Sequence, residues 1–271
     1  MLSERGASGR ATDLSRELDV AAALAREAGA LLLDLRGRPL DVRHKAGGEI
    51  VTAADLAADA HIRAGLARAF PGDALVSEEA TAREDRAAQR RLWIVDPIDA
   101  TRDYARGGDE FVVSIGLALA GAPALGAVFA PARRELFTGA VGGGAWLNGA
   151  PVRVTATSSL AAARVTVSRS EPGASLDKAA LPFTPTKVSS AAYKLARVAA
   201  GLDDGTFSGQ PRRDWDVCAG AALVLAAGGA VTLLDGRLLR FDRPELLQPL
   251  GLVAAGPALH PALRAALATL L

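Results

Sequence analysis

Cysteine is nearly absent from this chain. Cys218 is alone among 271 residues, so no disulfide can close within it, and a reducing cytoplasm is the expected compartment. Its apolar surroundings read as those of a small buried hydrophobe rather than a nucleophile. An excess of one charge is missing too: 31 Lys and Arg against 30 Asp and Glu leave a net +1, no field for gripping a nucleic acid polymer or an acidic membrane. Long apolar runs are lacking, since the Val20–Leu24 stretch is soon interrupted by Arg26 and Glu27, well short of a membrane span. The polar, mixed-charge opening MLSERGASGRATD has no apolar signal core and is expected to be a loose tail over about its first eleven residues. His44, His61 and His260 show no metal-ligand spacing, which argues against zinc. Ser114 and Ser168 lack the Gly-x-Ser-x-Gly elbow of a serine hydrolase. Gly142–Gly144 lead into Trp146-Leu147 and a turn, not a helix, so they are no dinucleotide loop.

What is present describes a folded α/β chain. Half the residues are apolar and under a quarter are charged. Leu14, Leu18, Ala21, Ala25, Ala28, Leu32 and Leu35 recur at helical spacing, predicting a helix from Thr12 to Leu35. A second helix is predicted from Thr52, as N-cap, to Phe70, with Asp55 in its first turn and Pro71-Gly72 as its stop. Strands are expected at Ala74–Ser77 and Leu92–Val95, the latter ending at Asp96-Pro97. Three antiparallel strands then span Phe111 to Val141, and a hairpin turns at Asn148-Gly149. From about residue 155 strands and helices alternate: strand Val165–Ser168, helix Ser190–Ala200, a strand, helix Asp214–Ala227 and strand Ala230–Leu234, with a terminal strand Leu252–Ala255 and a helix from His260. The expected division is an N-terminal α+β half over 12–155 and a C-terminal α/β half over 156–271 that share an interface.

The chemistry concentrates at Trp93-Ile-Val-Asp96-Pro-Ile-Asp99-Ala-Thr101. An apolar strand delivers Asp96 to its end, and Pro97 keeps the backbone out of helix, so two carboxylates emerge at one place. Thr101 opens a segment whose free amides can cradle an oxyanion. Taken alone, Asp-Pro-x-Asp is equally a capped turn. Glu78-Glu79 and Asp214-Trp-Asp216 weigh against that, because carboxylates brought together repel unless a hard cation joins them.

In their order, these segments resemble the inositol monophosphatase family of magnesium-dependent, lithium-sensitive phosphatases. The family pattern is a Glu-Glu pair, Asp-Pro-Ile/Leu-Asp-Gly-Thr, and a distant Trp-Asp followed by small residues and Gly-Gly. This sequence has Ser77-Glu78-Glu79, Asp96-Pro-Ile-Asp-Ala-Thr101, and Trp215-Asp216-Val-Cys-Ala-Gly220 with Gly228-Gly229. Val51-Thr-Ala-Ala-Asp55 is similar to the family's Thr-x-x-Asp. The resemblance implies a layered α/β/α/β/α sandwich, commonly dimeric, with two to three Mg2+ per site. It also implies roles. Glu78, Asp96 and the carbonyl of Ile98 would hold one ion; Asp96, Asp99 and Asp216 a second; Glu79, beside a weaker third, belongs with the catalytic set. Asp55 and Thr101 would orient and deprotonate a water for in-line attack. The amides of Ala100 and Thr101 would hold phosphate oxygens, with Lys45 nearby.

The implied substrate is a small phosphorylated metabolite. Thr101-Arg-Asp-Tyr104, Gly108-Asp-Glu-Phe111 and Gln210-Pro-Arg-Arg-Asp-Trp215 look closest to the 3′(2′),5′-bisphosphate nucleotidase branch, whose substrate is 3′-phosphoadenosine 5′-phosphate. Arg212 and Arg213 are the expected readers of a second phosphate. Inositol 1-phosphate is the alternative. A reading from another class, a catalytically weak ligand-binding relative, is motivated by Ala100, where the family pattern has glycine.

Overall fold

The structure, a computed structural model, describes residues 13–36, 42–44, 50–80, 89–171, 173, 176 and 181–271. Lys45 and the expected N-terminal tail lie outside the described residues.

The chain stacks as five layers, α/β/α/β/α, as the resemblance implied. Helices Ser15–Arg36 and Ala53–Ala69 form the first. Ala21, Ala25, Ala28 and Leu32 make the buried stripe of the former. An antiparallel ribbon of β1 (Val42–His44) and β2 (Ile50–Thr52) leads into the latter. That helix starts on a capping box: Thr52 caps it while Asp55 returns a bond to the Thr52 amide. Behind the two helices lies a sheet in the order β3 (Ala74–Ser77), β4 (Arg91–Asp99), β5 (Val112–Leu119), β6 (Ala122–Ala130), β7 (Glu135–Ala140), β8 (Gly144–Leu147) and β9 (Ala150–Val152). β3 and β4 run parallel, and each later pair is antiparallel.

Strand β4 is buried on both faces. Trp93 and Val95 pack with the first two helices, while Leu92 and Ile94 face the middle layer. That middle layer is helices Ala191–Ala199 and Asp214–Ala226. The second is apolar around its circumference because sheets cover it on both sides. The next layer is a sheet in the order β11 (Thr186–Val188), β10 (Val165–Ser168), β12 (Gly205–Ser208), β16 (Leu252–Ala255) and β14 (Ala230–Leu233). A small antiparallel ribbon joins β13 (Arg212–Arg213) to β15 (Leu247–Gln248). Helix His260–Ala266 closes the far face through Leu259, Leu263 and Leu267. One apolar cluster runs from β4 through both middle helices to β14 and β16, so the two halves share a core.

Two sequence expectations change. Strand β4 does not end at Asp96-Pro97 but continues to Asp99. Its register against β5 shifts between Asp96 and Asp99, and a bulge is where a proline lacking its N–H fits a ladder. Strand β11 and the ribbons β1–β2 and β13–β15 were not anticipated. All of these strands are too short to show a periodicity.

Candidate active site

Parallel pairing of β3 with β4 sets Ser77 beside Val95, so Glu78-Glu79 and Asp96 leave the sheet at the same edge. Ser77 fixes the acidic turn. Its hydroxyl donates to the buried Asp59 carboxylate, one helical turn beyond Asp55, and accepts from the Glu79 amide at 3.3 Å. From the middle layer, the first turn of helix Asp214–Ala226 brings Asp216. A pocket of about 420 Å3 takes in Glu78, Asp96, Ile98, Asp99, Thr101 and Asp216.

Burial and mutual repulsion both act on these carboxylates. Burial raises the Asp96 carboxyl well above the ordinary range, and repulsion from Glu78, Asp99 and Asp216 adds to it. Burial also raises Asp216 well above that range, helped by Asp99 and opposed by Arg212. Asp99 is raised by burial but moderated by its partners: its Oδ2 accepts from Ser190 Oγ and from the Ala192 amide, each at 2.7 Å, at the start of helix Ala191–Ala199. Lys194, buried one turn further, has its ammonium pushed down to about 7 by burial and by Arg212, with Asp99, Glu171 and Asp216 opposing. Its Nζ donates to Ser168 Oγ at 2.5 Å.

Among the described residues no three acidic, histidine or cysteine side chains close on one point at coordinating distance; the like charges spread around the pocket. Hard oxygen donors whose charged forms are disfavoured by burial and by one another suit a hard divalent cation, which would relieve both. The raised carboxyls also set the sign of a stability effect. A carboxyl whose folded pKa lies above its unfolded value stabilises the fold below the unfolded value and loses that contribution as pH rises through the folded one. In EDTA, Asp216→Asn is therefore expected to melt above the wild-type chain at pH 7.5, with the gap shrinking towards pH 4. Equal melting curves at both pH values would contradict that repulsion.

Beside the carboxylates, Thr101 Oγ1 reaches Asp55 Oδ1 at 3.1 Å and Ile98 O at 3.0 Å. The other Asp55 oxygen accepts from the amide and hydroxyl of Thr52, both at 2.7 Å, so the capping box aims the carboxylate at Thr101. Ala100 takes φ 76°, ψ 48°, the left-handed conformation the glycine of the motif would adopt without a Cβ penalty. The loop thus holds an alanine in a region of backbone space that favours glycine.

The expected substrate-side arginines adjoin Asp216 but are engaged within the protein. Arg212 is largely buried and committed, its Nε donating to Ser208 Oγ at 2.8 Å and its Nη2 pairing with Glu171 at 3.2 Å. Arg213 stacks over Trp215 at 5.7 Å from the ring centroid. Neither lines the pocket; Arg102, Arg106 and Arg169 do. Ser190 stood at the predicted start of its helix, but nothing local tied it to Asp99, 91 residues away.

The profile of the inositol monophosphatase family matches residues 13–271. A Solanum lycopersicum protein, "Inositol monophosphatase 3", is 34% identical over 229 residues, covering 79% of this chain and 84% of its own. The "3′(2′),5′-bisphosphate nucleotidase CysQ" of Shigella flexneri is 33% identical over 239 residues, covering 86% and 97%. Among solved structures, the Thermotoga maritima IMPase superposes with a TM-score of 0.83 at 28% identity, covering 94% of this chain and 98% of that one.

Proposed function

The chain belongs to the inositol monophosphatase family of phosphoric monoester hydrolases, and from that premise we propose that it is a Mg2+-dependent phosphatase acting on 3′-phosphoadenosine 5′-phosphate. The observation that carries the reading is the set of buried and half-buried, mutually repelling carboxylates around a pocket of small-metabolite size.

Glu78, Asp96 and the Ile98 carbonyl would hold one ion, and Asp96, Asp99 and Asp216 another, with Glu79 at the margin of the set. Bound Mg2+ supplies positive charge to the phosphoryl oxygens and acidifies the attacking water. The chain does the rest. A hydroxyl carries one proton, so Thr101 donates to either Asp55 or Ile98 O and has a lone pair to offer the water. As Thr101 takes the water proton, its own passes to Asp55 Oδ1, which faces it. The left-handed Ala100 followed by the first turn at Thr101 turns successive amides towards one concavity, suited to phosphate oxygens.

Phosphate release from 3′-phosphoadenosine 5′-phosphate, inositol 1-phosphate and fructose 1,6-bisphosphate tests the assignment, with and without EDTA and with LiCl against NaCl. The nucleotide should be preferred, EDTA should abolish release, and only LiCl should inhibit. A tenfold preference for inositol 1-phosphate, the substrate suggested by the name of the Solanum relative, would overturn the nucleotide assignment. Failure to release phosphate from all three would favour a ligand-binding role.

Ala100→Gly is expected to raise kcat/KM several-fold on the best substrate. It removes a left-handed strain of ~1–2 kcal/mol and a methyl from the phosphate cradle. The added unfolded-state freedom of glycine, ~0.4–1 kcal/mol, leaves little net change in the melting temperature. A glycine variant no faster than wild type would mean alanine is accommodated without functional cost.

A further inference from the structure

We propose that the mouth of this pocket carries an anion subsite, built on Arg169 with Arg106 and Arg102, that reads a second phosphate on the substrate. The proposal rests on the phosphatase reading of the same pocket and assigns the specificity that the chain's Arg212 and Arg213 are not placed to supply.

Arg169 is mounted rather than merely exposed. Its Nε donates to Ser189 Oγ at 3.1 Å and to Glu110 Oε2 at 3.2 Å, and its Nη2 donates to the same Glu110 oxygen at 3.1 Å. That carboxylate is itself fixed, because it accepts from the Ser189 amide at 2.9 Å. Ser189 Oγ in turn donates to Asp103 Oδ1 at 3.3 Å, and Asp103 Oδ2 accepts from the Glu110 amide at 2.9 Å. Nη1 has no partner among the described residues, so one edge of the fork stays available on a side chain that is 57% exposed. A surface ion pair stabilises a fold little, but a guanidinium held at one edge is pre-organised for an oxyanion at the other.

The position ties this subsite to the reacting centre. Ser189 holds Arg169, and the next residue, Ser190, holds the carboxylate of Asp99. Adjacent Cα atoms are ~3.8 Å apart, so neighbouring positions of one backbone set the two ends of the pocket. Arg102 and Arg106, from the short helix after Ala100 and its cap, line the same pocket, and the Arg106 guanidinium has no partner among the described residues. The acidic pocket residues include Asp103, which is committed to Ser189 and Glu110 and so braces the arginine scaffold.

The test uses a pair of ligands differing only in the second phosphate, 3′-phosphoadenosine 5′-phosphate and adenosine 3′-monophosphate, with inositol 1,4-bisphosphate and inositol 1-phosphate as a second pair. The readout is the ratio of kcat/KM for the bisphosphate over the monophosphate, with the ratio of melting-temperature shifts in Mg2+ measured alongside. Wild type should favour the bisphosphate within at least one pair. Arg169→Ala should lower that ratio roughly 10- to 100-fold, as removal of charged hydrogen bonds does, and Arg169→Lys should recover only part of it. Arg106→Ala, a change that removes no bond among the described residues, should lower it less and guards against a misfolded Arg169 variant. A wild-type ratio near one in both pairs, or a ratio unmoved in both alanine variants, overturns the subsite. Absence of phosphate release would sink the phosphatase reading instead, and the melting shifts would then decide the subsite by themselves.

Discussion

Asp99→Asn and Asp216→Asn are each expected to cut Mg2+-dependent phosphate release by about 10^3-fold or more while the chain remains folded. The proposed second ion takes its charge balance from Asp96, Asp99 and Asp216, and metal stabilisation of a phosphoryl transition state is worth several kcal/mol, at about 1.36 kcal/mol per factor of ten. The fold should survive for different reasons at the two positions. Asp216 is half-buried and repelled by Asp99 and Glu78, so a neutral amide relieves repulsion. Asp99 accepts two bonds on one oxygen, and the amide oxygen of asparagine can accept both. Titration of Mg2+ by calorimetry separates metal loss from a purely catalytic defect. Wild-type Mg2+ affinity with either variant would remove that residue from the metal set.

Gly126→Ala is expected to destabilise the chain by about 3 kcal/mol, at the upper end of overpacking penalties, and to lower its melting temperature by roughly 6–12 °C. A Cβ at Gly126 would collide with the carbonyl oxygen of Ala219 and lie 2.8 Å from its carbonyl carbon. At Gly116 it would lie 2.8 Å from the Ala219 nitrogen. Both obstructions involve backbone, which has no rotamer through which to retreat. Helix Asp214–Ala226 therefore rests directly on β5 and β6 at their glycines. The same helix carries Asp216, so lifting it should weaken Mg2+ binding as well as stability. Gly72→Ala, with nothing within 4 Å of its added Cβ, is the matched control and should leave both unchanged. A Gly126 variant with wild-type melting and Mg2+ affinity would show that the two layers can separate without cost.

Features set by residues close along the chain were legible without the fold. Thr52 and Asp55 form their capping box within one helical turn. Asp96, Ile98, Asp99 and Thr101 are presented together because one short segment carries them, and the apolar periodicities foretold most helices and strands. Ala100 was identifiable as a departure; only the structure, with φ of 76°, decided that the position is left-handed.

Features that depend on partners distant in the chain became visible only with the layers assembled. Pro97 looked like a strand end, but the pairing of β4 with β5 absorbs it in a bulge. Arg212 and Arg213 looked like phosphate readers because they are basic and precede Trp215-Asp216. Glu171 neutralises the first and Trp215 stacks the second, while Ser189 and Glu110 mount Arg169 at the mouth. Local sequence records a side chain's charge and its backbone preferences. Whether that charge is spent on a buried partner or remains available to a ligand is settled by packing between layers, where desolvation and like-charge repulsion are felt.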